Sequence, residues 1–128
     1  MSTRVLLVDD DRLVCRALSV VLARGGFDVQ VAYDAAPALE LVAQWRPDIA
    51  VVDYNMPTSG LGLVRELKAR FGDNVFVAVL TGDDDEQMRE RCHAGGADAV
   101  LIKPIAPVEL RRRLTAAAVA LKTLAAAS

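Results

Sequence analysis

Five residues capable of chemistry stand where apolar runs stop. Asp9 and Asp10 follow Val5–Val8, Asp53 follows Ile49–Val52, Thr81 follows Val75–Leu80, and Lys103 follows Ala99–Ile102. An acid at the tip of a buried strand is a poor choice for stability, because a lone buried charge is costly. It is a good choice for chemistry, since ligands in α/β proteins sit outside the carboxyl ends of parallel strands. If these runs are parallel strands of one sheet, three carboxylates, a hydroxyl and an amine share one rim.

Singly, each residue has a plain structural role: Asp9 or Asp10 as a helix cap, Asp53 as a turn acid, Thr81 as a strand end, Lys103 as a solvated cation. Together they do not. Two carboxylates about 4 Å apart repel by roughly 4 kcal/mol at an effective dielectric of about 20, and a third adds to it. Protons or a cation must hold such a cluster together. Lys103 alone cannot neutralise three acids, whereas a hard divalent cation can. Mg2+ suits best, because it takes a few carboxylates, keeps waters and leaves room for a phosphate oxygen; Mn2+ is the alternative with the same ligand preference.

Such a set points to phosphoryl transfer onto a carboxylate. Asp53 is the better nucleophile because it stands alone on the central run, while the paired Asp9 and Asp10 suit the metal. Lys103 and the cation would balance charge on the transferred oxygens, and the Thr81 hydroxyl would bind one of them. Competing chemistries score lower. No Cys/His or Ser/His pair is evident for acyl transfer, and no GxxxxGK[ST] loop is present to cradle a nucleotide. Asn55, rather than a second acid, stands two residues beyond Asp53, which counts against a phosphatase with an acid/base pair.

The elements that must position these groups alternate along the chain. Val5–Val8 reads as a buried strand, and Asp11 is placed to cap a helix over 12–24 whose apolar positions are Val14, Leu18, Val21 and Leu22. Gly25-Gly26 ends it. Phe27–Ala32 alternates apolar and polar residues, the pattern of a partly exposed edge strand. Asp34 caps a second helix, with Pro37 in its first turn, Leu39 and Val42 on its buried stripe, Trp45 near its end and Pro47 as its stop. Ile49–Asp53 is the third strand. A helix over 62–71 follows, with Leu63, Val64 and Leu67 inward and a Glu66–Arg70 pair outside. Val75–Leu80 is unbroken and apolar, hence fully buried. Asp83, Asp84 and Asp85 favour a helix N-terminus; that helix carries Met88 and Cys92 inward and ends at Gly95-Gly96. Ala99–Ile102 is the fifth strand. The last helix starts near Pro107, with Val108, Leu110, Leu114 and Val119 available for packing.

Five strands alternating with five helices require an α/β, doubly wound five-stranded parallel sheet with helices on both faces. The 128 residues fit one domain, 1–128, with no linker or internal repeat. A chain this long buries roughly two-thirds of its unfolded surface. At 53% hydrophobic and 25% charged residues it is not a disordered sequence. The net charge of −2 supplies no basic field for direct nucleic-acid binding. No apolar stretch reaches the roughly 20 residues of a membrane span, and the N-terminus is not a signal peptide, so a cytoplasmic location is expected. Cys15 and Cys92 read as buried thiols rather than a disulfide or metal pair, and His93 as a surface residue.

In order and at these spacings, VLLVDDD, VVDYNMP, VLTG and GADAVLIKP resemble the response-regulator receiver domains of two-component signalling, over the whole chain. The resemblance implies the flavodoxin-like (βα)5 strand order 2-1-3-4-5. It implies that Asp53 accepts a phosphoryl group from the phosphohistidine of a sensor histidine kinase or histidine phosphotransfer protein. Asp10 would bind Mg2+ directly, Asp9 mostly through water, and Asn55 through its backbone carbonyl. Lys103 would pair with Asp53 before phosphorylation and with the phosphoryl oxygens after it. Thr81 would move toward the phosphate, Lys103–Pro104 would be cis, and Asn55 and Asp83 would tune phosphate lifetime. The chain would then be a switch rather than an enzyme, acting only on its own phosphorylation state.

Two departures from the family pattern stand out. Val100 occupies the place of an aromatic that swings inward when the threonine moves, and the loop from Asp53 to Gly60 is one residue short. The face formed by the last strand and the last two helices is where relatives meet effectors or dimerise. There, Asp83–Asp85 and Arg111–Arg113 are either solvated helix ends or partners across a two-fold axis. Two alternatives to a free-standing switch are a small Mg2+-dependent, phosphatase-like hydrolase and an interaction module with a vestigial site. The chain itself is either a complete single-domain regulator or a receiver cut from a hybrid kinase or multidomain regulator.

Overall fold

The computed structural model describes residues 2–127. Its elements run β1 (Arg4–Val8), α1 (Arg12–Arg24), β2 (Asp28–Ala32), α2 (Ala35–Val42), β3 (Ile49–Asp53), α3 (Gly60–Phe71), β4 (Phe76–Thr81), α4 (Glu86–Ala94), β5 (Ala99–Ile102) and α5 (Pro107–Ala127), with a single 3-10 turn at Gly72–Asn74. The five strands form one parallel sheet in the order β2-β1-β3-β4-β5. β3 lies at its centre and is buried along its whole length.

The sheet separates two apolar cores, and strand alternation assigns residues to them. Leu6, Val8, Ala50, Val52, Val77 and Val79 face α2, α3 and α4. Val5, Leu7, Ile49, Val51, Ala78 and Leu80 face α1 and α5. This explains why β1, β3 and β4 read as continuous apolar runs: they are covered on both sides. β2, at the edge, keeps its polar alternation and its partial exposure.

The helix starts follow the side chains expected of them. Asp11 accepts from the Leu13 and Val14 amides at the start of α1, and Asp34 accepts from Ala35 at the start of α2. Several boundaries differ from the sequence expectation. α3 begins at Gly60, two residues early, because Ser59 caps it through the Gly62 amide. α2 stops at Val42, short of Trp45 and Pro47. β4 takes in Thr81 but not Val75. In the acidic run before α4, Asp85 is the cap, and Asp83 and Asp84 precede it.

Two packing expectations fail. Val108 and Val119 are 57% and 59% exposed, and Ala117 takes the buried place beside Leu110 and Leu114. In α1, Cys15 is buried with Leu18 and Leu22, while Val14 and Val21 are only half-buried.

Candidate functional site

The alternation that sorts the core also sorts the strand tips. Continued past the last apolar residue, it places Asp9, Asp53 and Lys103 on the α1/α5 side, in step with Leu7, Val51 and Leu101. Thr81 falls on the other side, in step with Val79. Val100 shares that side and pairs in register with Val79. Asp9, Asp53 and Lys103 therefore meet, and Thr81 lies across the sheet plane from them.

One carboxylate oxygen each from Asp9, Asp10 and Asp53 lies within 4.8 Å of the others. Asp9 and Asp53 are 0% and 3% exposed, while Asp10 is exposed at the rim. The Lys103 ammonium donates to Asp9 Oδ2 at 2.7 Å and stands 3.4 Å from Asp53 Oδ1. The expected Lys103–Asp53 pair is thus present, but the shorter contact is to Asp9, which lies wholly inside the rim. Asp9 Oδ1 accepts from the Asp11 amide at 3.0 Å. Asp53 Oδ1 accepts from the Asn55 amide at 3.2 Å. Asp53 Oδ2 and Asp10 make no protein hydrogen bond among the described residues.

Burial pushes the Asp53 carboxyl above its ordinary range, and the Asp9 charge adds to this. The Asn55 amide and Lys103 only partly offset it. For Lys103, burial works to lower the ammonium. The Asp9 hydrogen bond and the charges of Asp9 and Asp53 outweigh it and raise the group, which stays protonated. One cation among three acids leaves the cluster under-neutralised. All its donors are hard oxygens, and two buried acids with one exposed acid leave an approach from solvent, so the set fits Mg2+.

The remaining expected residues fall around this centre. Thr81 is fully buried, and its hydroxyl accepts from the Asp83 amide at 3.1 Å. Asn55 and Asp83 are exposed, each two residues beyond a site residue and each tied to it by its backbone amide. Val100 is half-buried against the α2–α4 core. The Lys103–Pro104 peptide is cis.

On the α4/α5 face, several charges find partners within the chain. Arg89 pairs with Asp84. Glu109 pairs with Arg112 and Arg113 at 2.6 and 3.0 Å, and these two hold its carboxyl down to about 2. Arg111 turns away from this face: its stem lies so close over Gly25, at the end of α1, that a Cβ there would meet Arg111 Cδ at 2.7 Å. His93 makes a 2.9 Å contact with the Ala97 carbonyl.

Three site features escaped sequence reasoning. The Cys15 thiol donates to the Asp9 carbonyl at 3.3 Å, beneath the acid cluster, where burial and then the charges of Asp9 and Asp11 push it up to about 11. Gly60 sits against the β3 backbone: a Cβ there would come within 2.3 Å of the Asp53 carbonyl oxygen and 3.0 Å of Tyr54 Cα. The Thr58 hydroxyl, in the loop after Asp53, donates to Asp34 Oδ1 at the start of α2. That last pair spans 24 residues, so no local pattern announces it. The glycine could have been suspected from its place at the end of a short loop.

Comparison with known proteins gives one consistent result. Residues 5–115 match the response regulator receiver domain. The response regulator MprA of Mycobacterium ulcerans is 42% identical over 117 residues, which is 91% of this chain and 50% of that protein. MprA of Mycobacterium tuberculosis is 41% identical over the same length. The chain spans about half the length of the curated relatives it matches. Among solved structures, a CheY-like receiver domain protein from Methanospirillum hungatei superposes with a TM-score of 0.89 at 22% identity, covering 96% of this chain and 98% of that one. A Burkholderia pseudomallei response regulator, solved with a phosphorylated aspartic acid, a calcium ion and citrate, gives 0.79 at 27% identity, covering 85% of this chain and 64% of that one. With its strand order, its rim of acids and this sequence match in agreement, the chain belongs to the response regulator receiver domain family.

Proposed function

We propose that the chain, as a single receiver domain over 1–128, is a phosphoacceptor switch in which Asp53 is the acceptor. The observation that carries this is the convergence of Asp9, Asp10 and Asp53 within 4.8 Å, with Lys103 reaching two of them. The phosphorylated aspartic acid of the Burkholderia pseudomallei relative supports it.

Asp53 Oδ2 attacks the phosphorus of a phosphohistidine on a sensor histidine kinase or histidine phosphotransfer protein. The phosphorus–nitrogen bond breaks, and its electron pair leaves with the imidazole. Asp10, Asp53, the Asn55 carbonyl and, through water, Asp9 would hold Mg2+ (or Mn2+), which supplies charge neutralisation for the phosphoryl oxygens when bound. Lys103 supplies the fixed positive charge from the protein side. Thr81 offers the hydroxyl that senses the new group, and Asn55 and Asp83 tune the lifetime of the phosphate. Val100, on the same side of the sheet as Thr81 and paired with Val79, supports a readout without an aromatic swing, through α4, β5 and α5. That face would meet the effector or a second copy of the chain. The setting is cytoplasmic, and nucleic acid is not bound directly.

Incubation with acetyl phosphate and Mg2+ tests the reading. A switch takes up one phosphoryl group per chain, and Asp10→Asn weakens Mg2+ binding by more than about tenfold. Many turnovers of a phosphomonoester per chain would instead mark a hydrolase.

A further inference from the structure

The loop from Tyr54 to Ser59 carries Asn55, whose amide is bonded to the acceptor carboxylate. It is held at four places. Met56 is buried in the α2–α4 core. Ser59 caps α3. Gly60 rests on the Asp53 and Tyr54 backbone with no room for a side chain. The fourth hold is not local: the Thr58 hydroxyl donates to Asp34 Oδ1, and the same carboxylate oxygen accepts from Ala35 at 2.8 Å. Met56 anchors the middle of the loop in the core, and Ser59 and Gly60 fix its entry to α3. The fourth hold ties its exposed crest to the start of α2.

The loop is also short, with six residues between Asp53 at the end of β3 and Gly60 at the start of α3. A shorter span gives each residue less freedom to compensate for a shift in its neighbours, so a tether at Thr58 bears directly on Asn55, three positions away. Asp34 is placed for that purpose: it caps α2 two residues beyond β2, whose last carbonyl, that of Ala32, accepts from the Asp9 amide at 3.2 Å.

We propose that Thr58 and Asp34 form a positioning pair that holds the Asn55 backbone against Asp53, and through it sets the affinity of the acid cluster for a divalent cation. This rests on the reading of that cluster as the Mg2+ site. Neither residue touches the reacting atoms; both act through the loop. Partners that orient metal ligands from outside are generally worth about tenfold or more in metal affinity.

The test uses the whole chain with three substitutions. Thr58→Val keeps the shape and removes the donor, Thr58→Ser keeps the donor, and Asp34→Asn keeps a cap for α2. Two quantities are read: hydrogen exchange of the Asn55 amide without metal, and Mg2+ dissociation constants by calorimetry. Thr58→Val is expected to speed Asn55 exchange and raise the Mg2+ dissociation constant about tenfold. Thr58→Ser should stay within about twofold of the unmodified chain, and adding Asp34→Asn to Thr58→Val should cost less than the sum of the two singly. A merely structural tether would lower the melting temperature and leave both readings where they were, which overturns the proposal. Equal losses in Thr58→Val and Thr58→Ser overturn it as well, since the hydroxyl would then be irrelevant. If the unmodified chain binds no Mg2+, the reading of the cluster fails and the proposal with it. If that chain binds Mg2+ and Thr58→Val binds it equally, the proposal fails alone.

Discussion

Asp53 is the residue on which the account turns, and its cost can be measured. Burial and the neighbouring Asp9 raise its carboxyl above the ordinary 3.8. A carboxyl raised on folding favours the folded state while protonated, and that advantage is lost as pH rises from the unfolded value through the folded one. In metal-free protein at neutral pH, ionised Asp53 is therefore a net destabiliser. Asp53→Asn should raise the melting temperature there. The gain should shrink as pH falls toward 4, and saturating Mg2+ should cancel or reverse it. A gain independent of pH would show that the substitution acts through packing instead of charge. Lys103 has the opposite sense. Its contribution is fully present below the ordinary 10.5 and is lost as pH rises through its raised value.

At the scale of the element, the loop between β3 and α3 is the tightest piece of design. A methyl group at Gly60 would have to displace the backbone of Asp53 or Tyr54. Gly60→Ala should cost about 1–3 kcal/mol by chemical denaturation, and it should slow phosphorylation more than the stability loss explains, because the displaced backbone carries Asp53, the proposed acceptor. Unchanged stability would mean that the loop is looser than its contacts indicate. The elements themselves were largely legible. β3 and β5 fall where their apolar runs end, and Asp11 and Asp34 cap the helices they precede. What misled was small or exposed. Ser59 started α3 early because one hydroxyl outweighed the two glycines. Val108 and Val119 were expected inside because they are apolar, yet the small Ala117 holds the stripe that faces the sheet.

At the scale of the whole molecule, the sheet gathers groups that lie 94 residues apart in sequence, Asp9 and Lys103, into one hydrogen bond. That gathering could be anticipated, because all parallel strands deliver their ends to one edge. Which side of the sheet each group takes follows from period-two alternation, and it separates Thr81 from Asp9, Asp53 and Lys103. The Thr58–Asp34 contact and the turn of Arg111 toward Gly25 were not legible, because both depend on how elements dock and not on any local pattern. A folded rim of acids also predicts linkage between metal and global stability. Mg2+ at tenfold above its dissociation constant should add about 1.4 kcal/mol, roughly 5 °C in melting temperature. Asp10→Asn should cut that increment to below about 0.4 kcal/mol at the same Mg2+ concentration while folding normally; an undiminished increment would place the cation elsewhere.

The most direct test of the central claim is the intact mass of the chain after incubation with acetyl phosphate and Mg2+, compared with Asp53→Asn under the same conditions. The unmodified chain should gain one phosphoryl group, Asp53→Asn none, and neither should gain any once Mg2+ is chelated. A gain that persists in Asp53→Asn, or no gain in the unmodified chain, would contradict that claim.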